Sequence, residues 1–144
     1  MLVRECLRKA PVTVPPQCSL REAAQLMGSH GVGSVLVMRG DELVGIVTDR
    51  DITLRGVGSG KASDAPVSEL MTRAPVTIQG SADIFDAFRI IKDADFRRLP
   101  VLEETELAGI ITSDDLLVAL VLELGAVVSP VAREVLEFRR DAAS

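Results

Sequence analysis

Gly45-Ile-Val-Thr-Asp-Arg-Asp51 recurs 64 positions later as Gly109-Ile-Ile-Thr-Ser-Asp-Asp115. The same shift lays VRECLRKAPVTV (3–14) on VSELMTRAPVTI (67–78) and needs no gap from Val3/Val67 to Gly56/Leu120. Of these 54 aligned pairs 14 are identical, and most of the others keep apolar character, as in Leu26/Ile90, Met27/Ile91 and Val47/Ile111. Self-similarity at a fixed period marks a duplicated unit, and it fixes the architecture before any single element does.

Each copy carries the same local plan. Val12-Thr-Val14 and Val76-Thr-Ile78 are short extended runs after proline. Ser19-Leu-Arg-Glu22 is a capping box, and Asp83-Ile-Phe-Asp86 is its acidic analogue, so a helix starts at the same register in both copies. Ala23, Leu26 and Met27 share one helical face, as do Ala87, Ile90 and Ile91. The first helix is expected to end near Gly31. Val35–Met38, a Gly40-Asp41 turn and Leu43–Val47 then predict a hairpin. In the second copy, Leu99–Leu102 and Leu107–Ile111 repeat it around a longer turn region. A second helix follows near Asp49 and near Asp114.

The fold class is therefore α+β: two β-α-β-β-α repeats packed as a pseudo-twofold pair, sheet to sheet around a shared core. A unit of about 55 residues is marginal alone, which favours a paired arrangement. Residues 1–64 form repeat one with its Gly/Ser-rich linker (56–65), 65–124 form repeat two, and 125–144 form a C-terminal tail. The tail has no counterpart in repeat one; Val131, Val135, Leu136 and Phe138 predict a short helix after Pro130.

Composition narrows the function classes. The chain of 144 residues is 47% hydrophobic, with no Trp or Tyr and four Phe, so its core is aliphatic. A formal net charge of -5 and the shortage of aromatics disfavour a nucleic-acid platform. The longest uncharged apolar run, Leu116–Leu122, is too short for a membrane helix, and the N-terminus lacks a signal-peptide core. Cys6 and Cys18 form neither a disulfide framework nor a metal set, and are expected to be free thiols of a cytoplasmic protein. GVGSGKAS (56–63) and GVGSVL (31–36) fail the phosphate-loop and dinucleotide patterns, since Ala62 and Leu36 stand where Ser/Thr and Gly are required. His30, the only histidine, fits a helix C-terminus. No nucleophile-base pair or metal cluster suggests an enzyme.

The repeated joint admits two uses. Thr48-x-x-Asp51 and Thr112-x-x-Asp115 fit helix capping, with Thr at the N-cap and an acid at N3. The same geometry suits a nucleotide. Free N–H groups and a threonine hydroxyl meet phosphate, and a carboxylate accepts from a ribose diol. Gly45 and Gly109 would permit close backbone approach.

With GIVTDRD, GIITSDD, MTRAPVTI and FRRLPVL (96–102) in order and duplicated, the chain resembles a tandem pair of cystathionine β-synthase (CBS) domains, a regulatory module for adenosine ligands. The likeness spans residues 3 to 120. It implies two symmetry-related clefts between the repeats, binding AMP, ADP, ATP or S-adenosyl methionine in relatives. It places ribose contacts on Asp51 and Asp115 and phosphate contacts on Thr48 and Thr112. The base would lie near Val12, Thr13, Val76 and Thr77, and Arg98, with Arg97 beside it, would be a phosphate partner. It further implies a homodimer, an effector protein whose identity the sequence leaves open, no covalent cofactor and no catalytic residue.

The copies differ, because Gly33 and Ser34 align with Arg97 and Arg98. That predicts one better site, around Asp115 or across the cleft with Arg97 and Arg98; because Asp49, Asp51, Asp114 and Asp115 make both joints acidic, a monophosphate or a cationic adenosyl ligand is expected to fit the other more easily than ATP. The alternative is a structural or dimerisation module with no nucleotide ligand.

Overall fold

The computed structural model describes residues 1–94 and 97–142, with side-chain surroundings through Val131. Asp95, Phe96 and the side chains of Val135, Leu136 and Phe138 lie outside the described residues. In repeat one the order is β1 (Thr13–Val14), α1 (Leu20–His30), β2 (Ser34–Arg39), β3 (Glu42–Thr48) and α2 (Asp49–Asp51), which continues through a π turn (Ile52–Gly56) and a 3-10 turn (Val57–Ser59). Repeat two contributes β4 (Thr72–Arg73), β5 (Ile78–Gln79), α3 (Ile84–Asp93), β6 (Arg98–Glu103), β7 (Glu106–Thr112) and α4 (Ser113–Ala142). The class is α+β, with sheets ordered β1-β2-β3-β4 and β5-β6-β7.

Local signals act as the sequence predicts. Ser19 Oγ accepts from the Glu22 N–H at 3.1 Å, and the Glu22 carboxylate returns to the Ser19 N–H. Asp83 instead accepts from the Phe85 N–H at 2.9 Å. Gly31 ends α1 at φ 61°, a left-handed cap that favours glycine. The second hairpin turn is not longer than the first. Arg39 pairs with Glu42 and Glu103 with Glu106, so each turn has two residues. Glu104 takes the place of Gly40 at φ 56°. Gln79 secures it, donating to the Glu104 carbonyl at 2.9 Å and accepting from its N–H at 3.0 Å.

The cores depart from the expected single shared one. Each repeat has its own cluster, and each borrows the other's opening segment. Val67, Leu70 and Met71 are buried with Val14, Ala23, Val35 and Val47 of repeat one. Val3 and Cys6 are buried with Ile84, Leu99, Val101 and Ile111 of repeat two. Backbone bonds tie the exchange in symmetric pairs. Val3 N–H donates to the Ala82 carbonyl at 2.9 Å, as Val67 does to Cys18 at 2.8 Å. Arg4 donates to Gly80 at 3.0 Å, as Ser68 does to Pro16 at 3.1 Å. Ile84 donates to Met1 at 3.1 Å, as Leu20 does to Ala65 at 3.0 Å.

Gly45 and Gly109 serve this exchange. A methyl group at Gly45 would stand 2.5 Å from Met71 Sδ and 3.1 Å from the Thr72 carbonyl oxygen. At Gly109 it would stand 2.9 Å from Leu7 Cδ2. In each strand the close approach is to the other copy's opening segment. β4 also joins the first sheet here, pairing Thr72 with Ile46 and Arg73 with Gly45. The chain then leaves for the second sheet through Ala74, at φ 44°.

The two second helices diverge. After Asp51 the run of Gly56, Gly58 and Gly60 breaks the helix into tighter and wider turns, and Gly60 closes it at φ 73°. After Asp115 the Leu/Val/Ala-rich run continues unbroken. The tail is therefore not a separate helix after Pro130, because α4 passes through that residue to Ala142.

A Gly45→Val substitution is expected to cost about 1–3 kcal/mol through overpacking. Gly28→Ala, in the last turn of α1 with nothing within 4 Å of the added carbon, is expected to be neutral or stabilising by up to about 1 kcal/mol. Urea unfolding of both variants checks this; equal effects would contradict the packing role of Gly45.

Candidate functional site

Both strand-to-helix joints form the same closed device. Thr48 N–H donates to Asp51 Oδ2 at 2.9 Å, and Asp51 N–H donates to Thr48 Oγ1 at 3.1 Å. Thr112 N–H donates to Asp115 Oδ2 at 2.9 Å, and Asp115 N–H donates to Thr112 Oγ1 at 3.2 Å. The capping use predicted for all four residues is present. The helix start is also fastened to the opening of its hairpin: Asp49 N–H donates to the Gly33 carbonyl and Ser113 N–H to the Arg97 carbonyl, both at 3.0 Å.

The hydroxyls differ. Thr112 Oγ1 donates its proton to Asp115 Oδ2 at 2.8 Å, whereas Thr48 Oγ1 acts as an acceptor, and no described residue takes its proton. Asp51 has Arg55 Nη1 3.8 Å from Oδ1. No described residue donates a hydrogen bond to Asp115 Oδ1. All four joint side chains are partly buried.

One side chain brings the joints together. Arg98 opens β6 opposite Thr112 in register. Its guanidinium nevertheless crosses the seam to repeat one, where Nη2 lies 3.9 Å from Asp49 Oδ1. It packs against Gly33, where an added methyl group would collide with it and stand 3.3 Å from Asp49 Oδ2. The missing cation of repeat one thus leaves the room that Arg98 occupies. At 3.9 Å the pair with exposed Asp49 is loose, and such contacts contribute little to stability. Arg97 is exposed; among the described residues its only polar contact to the joint is its carbonyl.

The base-side residues also differ between copies. Leu36 N–H donates to the Val12 carbonyl at 2.9 Å, which begins β1 at Thr13. The residue aligned with Leu36 is Pro100, which has no N–H to give. β5 therefore begins one register later, at Ile78, and no described N–H reaches the Val76 carbonyl. Val76 and Thr77 offer an open backbone acceptor, whereas the Val12 carbonyl is already engaged. A cavity beside Thr13 is lined by Pro15, Gln17, Cys18, Gln25 and Leu26; neither joint belongs to it. The sequence reading noted Gly33 only as the position aligned with Arg97; it did not pair Asp49 with Arg98, and it did not note Pro100 opposite Leu36.

Other reactive groups stay apart. Cys6 and Cys18 are free and buried. Burial pushes both thiols above their ordinary range, with Glu5 adding to the effect at Cys6 and Glu22 at Cys18, so neither is a ready thiolate. His30 is exposed, with Nδ1 3.0 Å from the Leu26 carbonyl. Among the described residues no His, Cys, Asp and Glu group could hold a metal ion, and no helix is long and apolar enough to cross a membrane.

Comparison with known proteins agrees with the duplication. The family model described as the CBS domain matches residues 3–57 and again 67–122. The CBS domain-containing protein YhcV of Bacillus subtilis is 35% identical over 116 residues, covering 81% of this chain and 83% of that protein. The crystal structure of the CBS-domain containing protein ATU1752 from Agrobacterium tumefaciens superposes with a TM-score of 0.75 at 34% identity, over 83% of this chain and 98% of that one. The crystal structure of CBSX2 in complex with AMP superposes with a TM-score of 0.71 at 28% identity, over 84% and 96%.

Removing a cap hydroxyl typically costs about 1 kcal/mol. Thr112→Ala is expected to lose that much in urea unfolding, and Thr112→Ser to retain most of the stability. Equal stability of the two variants would show that the hydroxyl is not the cap.

Proposed function

The chain belongs to the CBS domain family, and from that premise we propose that it is a regulatory module that binds an adenosine-containing ligand in the seam between its repeats. The observation that carries this reading is Arg98, a cation rooted at one joint and extended to the other. An anion there would meet a guanidinium whose one ion pair among the described residues is loose, and charge-assisted bonds to phosphate are strong and directional. The AMP complex of CBSX2, a structural relative, supports the ligand class.

Roles follow from the chemistry at each position. Arg98 receives the phosphate, with Arg97 near enough in sequence to assist. Asp115, whose Oδ1 carries no hydrogen bond from the described residues, accepts from the ribose diol, and Asp51 is its counterpart in repeat one. Thr48 can donate its free hydroxyl proton, while Thr112 must first release Asp115. Val76 offers its carbonyl to an exocyclic amine at the base, beside Thr77; Val12 and Thr13 supply mainly apolar and side-chain contact. Asp49, Asp51, Asp114 and Asp115 place negative charge at both joints, which favours AMP or a cationic adenosyl ligand such as S-adenosyl methionine over ADP or ATP. The module performs no chemistry on its ligand; it acts by preferring one arrangement of the repeats, read by an effector protein.

The alternative is a structural module in which the joints only cap helices. The closed set of hydrogen bonds between Thr112 and the Asp115 Oδ2 and N–H favours it, and titration separates the two readings.

Calorimetry with AMP, ADP, ATP, S-adenosyl methionine and adenosine is the test. AMP is expected to bind, and Arg98→Ala to weaken it about 10–100-fold, the worth of one charge-assisted hydrogen bond, while leaving adenosine affinity nearly unchanged. Asp51→Ala and Asp115→Ala are expected to lower affinity unequally. Absence of binding by every compound at millimolar concentration would leave the structural reading standing.

A further inference from the structure

The two joints carry opposite charges at matched positions. In the first, the Gly33 carbonyl accepts from the Asp49 N–H; in the second, the Arg97 carbonyl accepts from the Ser113 N–H, both at 3.0 Å. Repeat one thus places a carboxylate where repeat two has serine. Repeat two places Arg97 and Arg98 where repeat one has Gly33 and Ser34. Arg98 reaches over the seam to the acid of the other copy, and its Nη2 lies 3.9 Å from Asp49 Oδ1. That is the one ion pair of Asp49 among the described residues.

The Asp49 carboxylate has no local duty that needs its charge. Thr48 and Asp51 cap the helix without it. Its Oδ1 accepts from the Arg50 N–H at 2.9 Å, a bond that an amide oxygen makes equally well. The second joint does without an acid here altogether, since Ser113 holds the position. What remains is the pair with Arg98. At 3.9 Å it is too long for a hydrogen bond and acts through charge alone. The Asp49 side chain is 66% exposed and that of Arg98 30%, so the attraction is well screened. A phosphate that accepts short, charge-assisted bonds from the same guanidinium outcompetes such a partner.

We propose that Asp49 is a latch on the phosphate site: its carboxylate draws the Arg98 guanidinium across the seam, and the phosphate of a bound ligand takes the guanidinium from it. Resting on the adenosine-ligand reading above, the latch adds a positioning residue that acts through Arg98 and not by touching the ligand. It also names a contact that differs between two arrangements of the repeats. Asp49 belongs to repeat one and Arg98 to repeat two, so their pair joins the repeats directly, and a phosphate on Arg98 replaces that join with its own.

Calorimetric titration of the full chain with AMP and with adenosine tests the latch. Asp49→Asn, which keeps the acceptor for the Arg50 N–H, is expected to bind AMP about 2–5-fold more tightly, the worth of an exposed ion pair. Its affinity for adenosine is expected to match that of the wild-type chain. Asp49→Ser, which copies the second joint, is expected to give the same gain, and thermal unfolding of both variants checks that the fold is intact. On an Arg98→Ala background, Asp49→Asn is expected to give a smaller gain or none, because the two side chains are coupled. A gain of full size there would show plain repulsion of the phosphate and would overturn the latch. An equal gain for adenosine would show a change in the fold and overturn it as well. If the wild-type chain binds AMP and neither Asp49 variant binds it more tightly, the latch falls and the ligand reading stands. If no variant and no wild-type chain binds AMP, both fall.

Discussion

The molecule depends on an exchange. The opening segment of each repeat is buried in the core of the other, and backbone hydrogen bonds repeat the contact at a 64-residue shift. Neither repeat has a complete core without its partner's segment, since Val67, Leu70 and Met71 fill the first and Val3 and Cys6 the second. A unit of about 55 residues buries too little surface to be stable by itself, and the swap resolves that without a large common core. Gly45 and Gly109 follow from it: each strand must let a foreign side chain reach its backbone.

The same exchange sets the seam. Each half is held through the other's opening segment, and the two strand-to-helix joints come close enough for one arginine to reach across. Arg98 can therefore root beside Thr112 and end beside Gly33 and Asp49. A group placed between the joints touches both repeats, and its differential contacts with two arrangements of them are the only means by which binding could move the pair. Interfaces of packed segments favour discrete arrangements over smooth deformation.

Much of this is legible in the sequence because it is local. The duplication, the Ser19 box, the Gly31 cap, the hairpins and the Thr-x-x-Asp joints each depend on a few neighbouring residues, and the 64-residue shift checks each against a second copy. The exchange is not legible. An alignment shows that residues 3–14 and 67–78 are equivalent, but periodicity does not say in which copy's core an equivalent segment lies. Gly45 and Gly109 suggest room for a ligand for the same reason, since a small residue announces close approach without naming what approaches. The turn at Glu104 looks longer in sequence because it lacks glycine; the compensating bonds come from Gln79, 25 residues away. Thr48, Asp51, Thr112 and Asp115 lie at the strand-to-helix joints the sequence predicts, and Arg98 opens β6. The seam contact of Arg98 with Asp49 depends on Gly33, whose meaning is spatial.

The copies have diverged most where duplication leaves one of them free to change. Repeat one commits the Val12 carbonyl to Leu36, ends its second helix in a glycine-broken turn, and gives up a side chain at Gly33. Repeat two keeps Arg98, frees the Val76 carbonyl through Pro100, and extends its helix for 30 residues. These changes are coupled through one joint. Thr112 and Asp115 start α4, so anything that draws the Asp115 carboxylate away from Thr112 acts on the first turn of that helix. Capping and the start of α4 thus meet in Gly109-Ile-Ile-Thr-Ser-Asp-Asp115. In repeat one the same four-residue device leads into a glycine-broken turn that closes at Gly60. A duplicated joint can thus keep its fold in both copies while only the second carries a long helix.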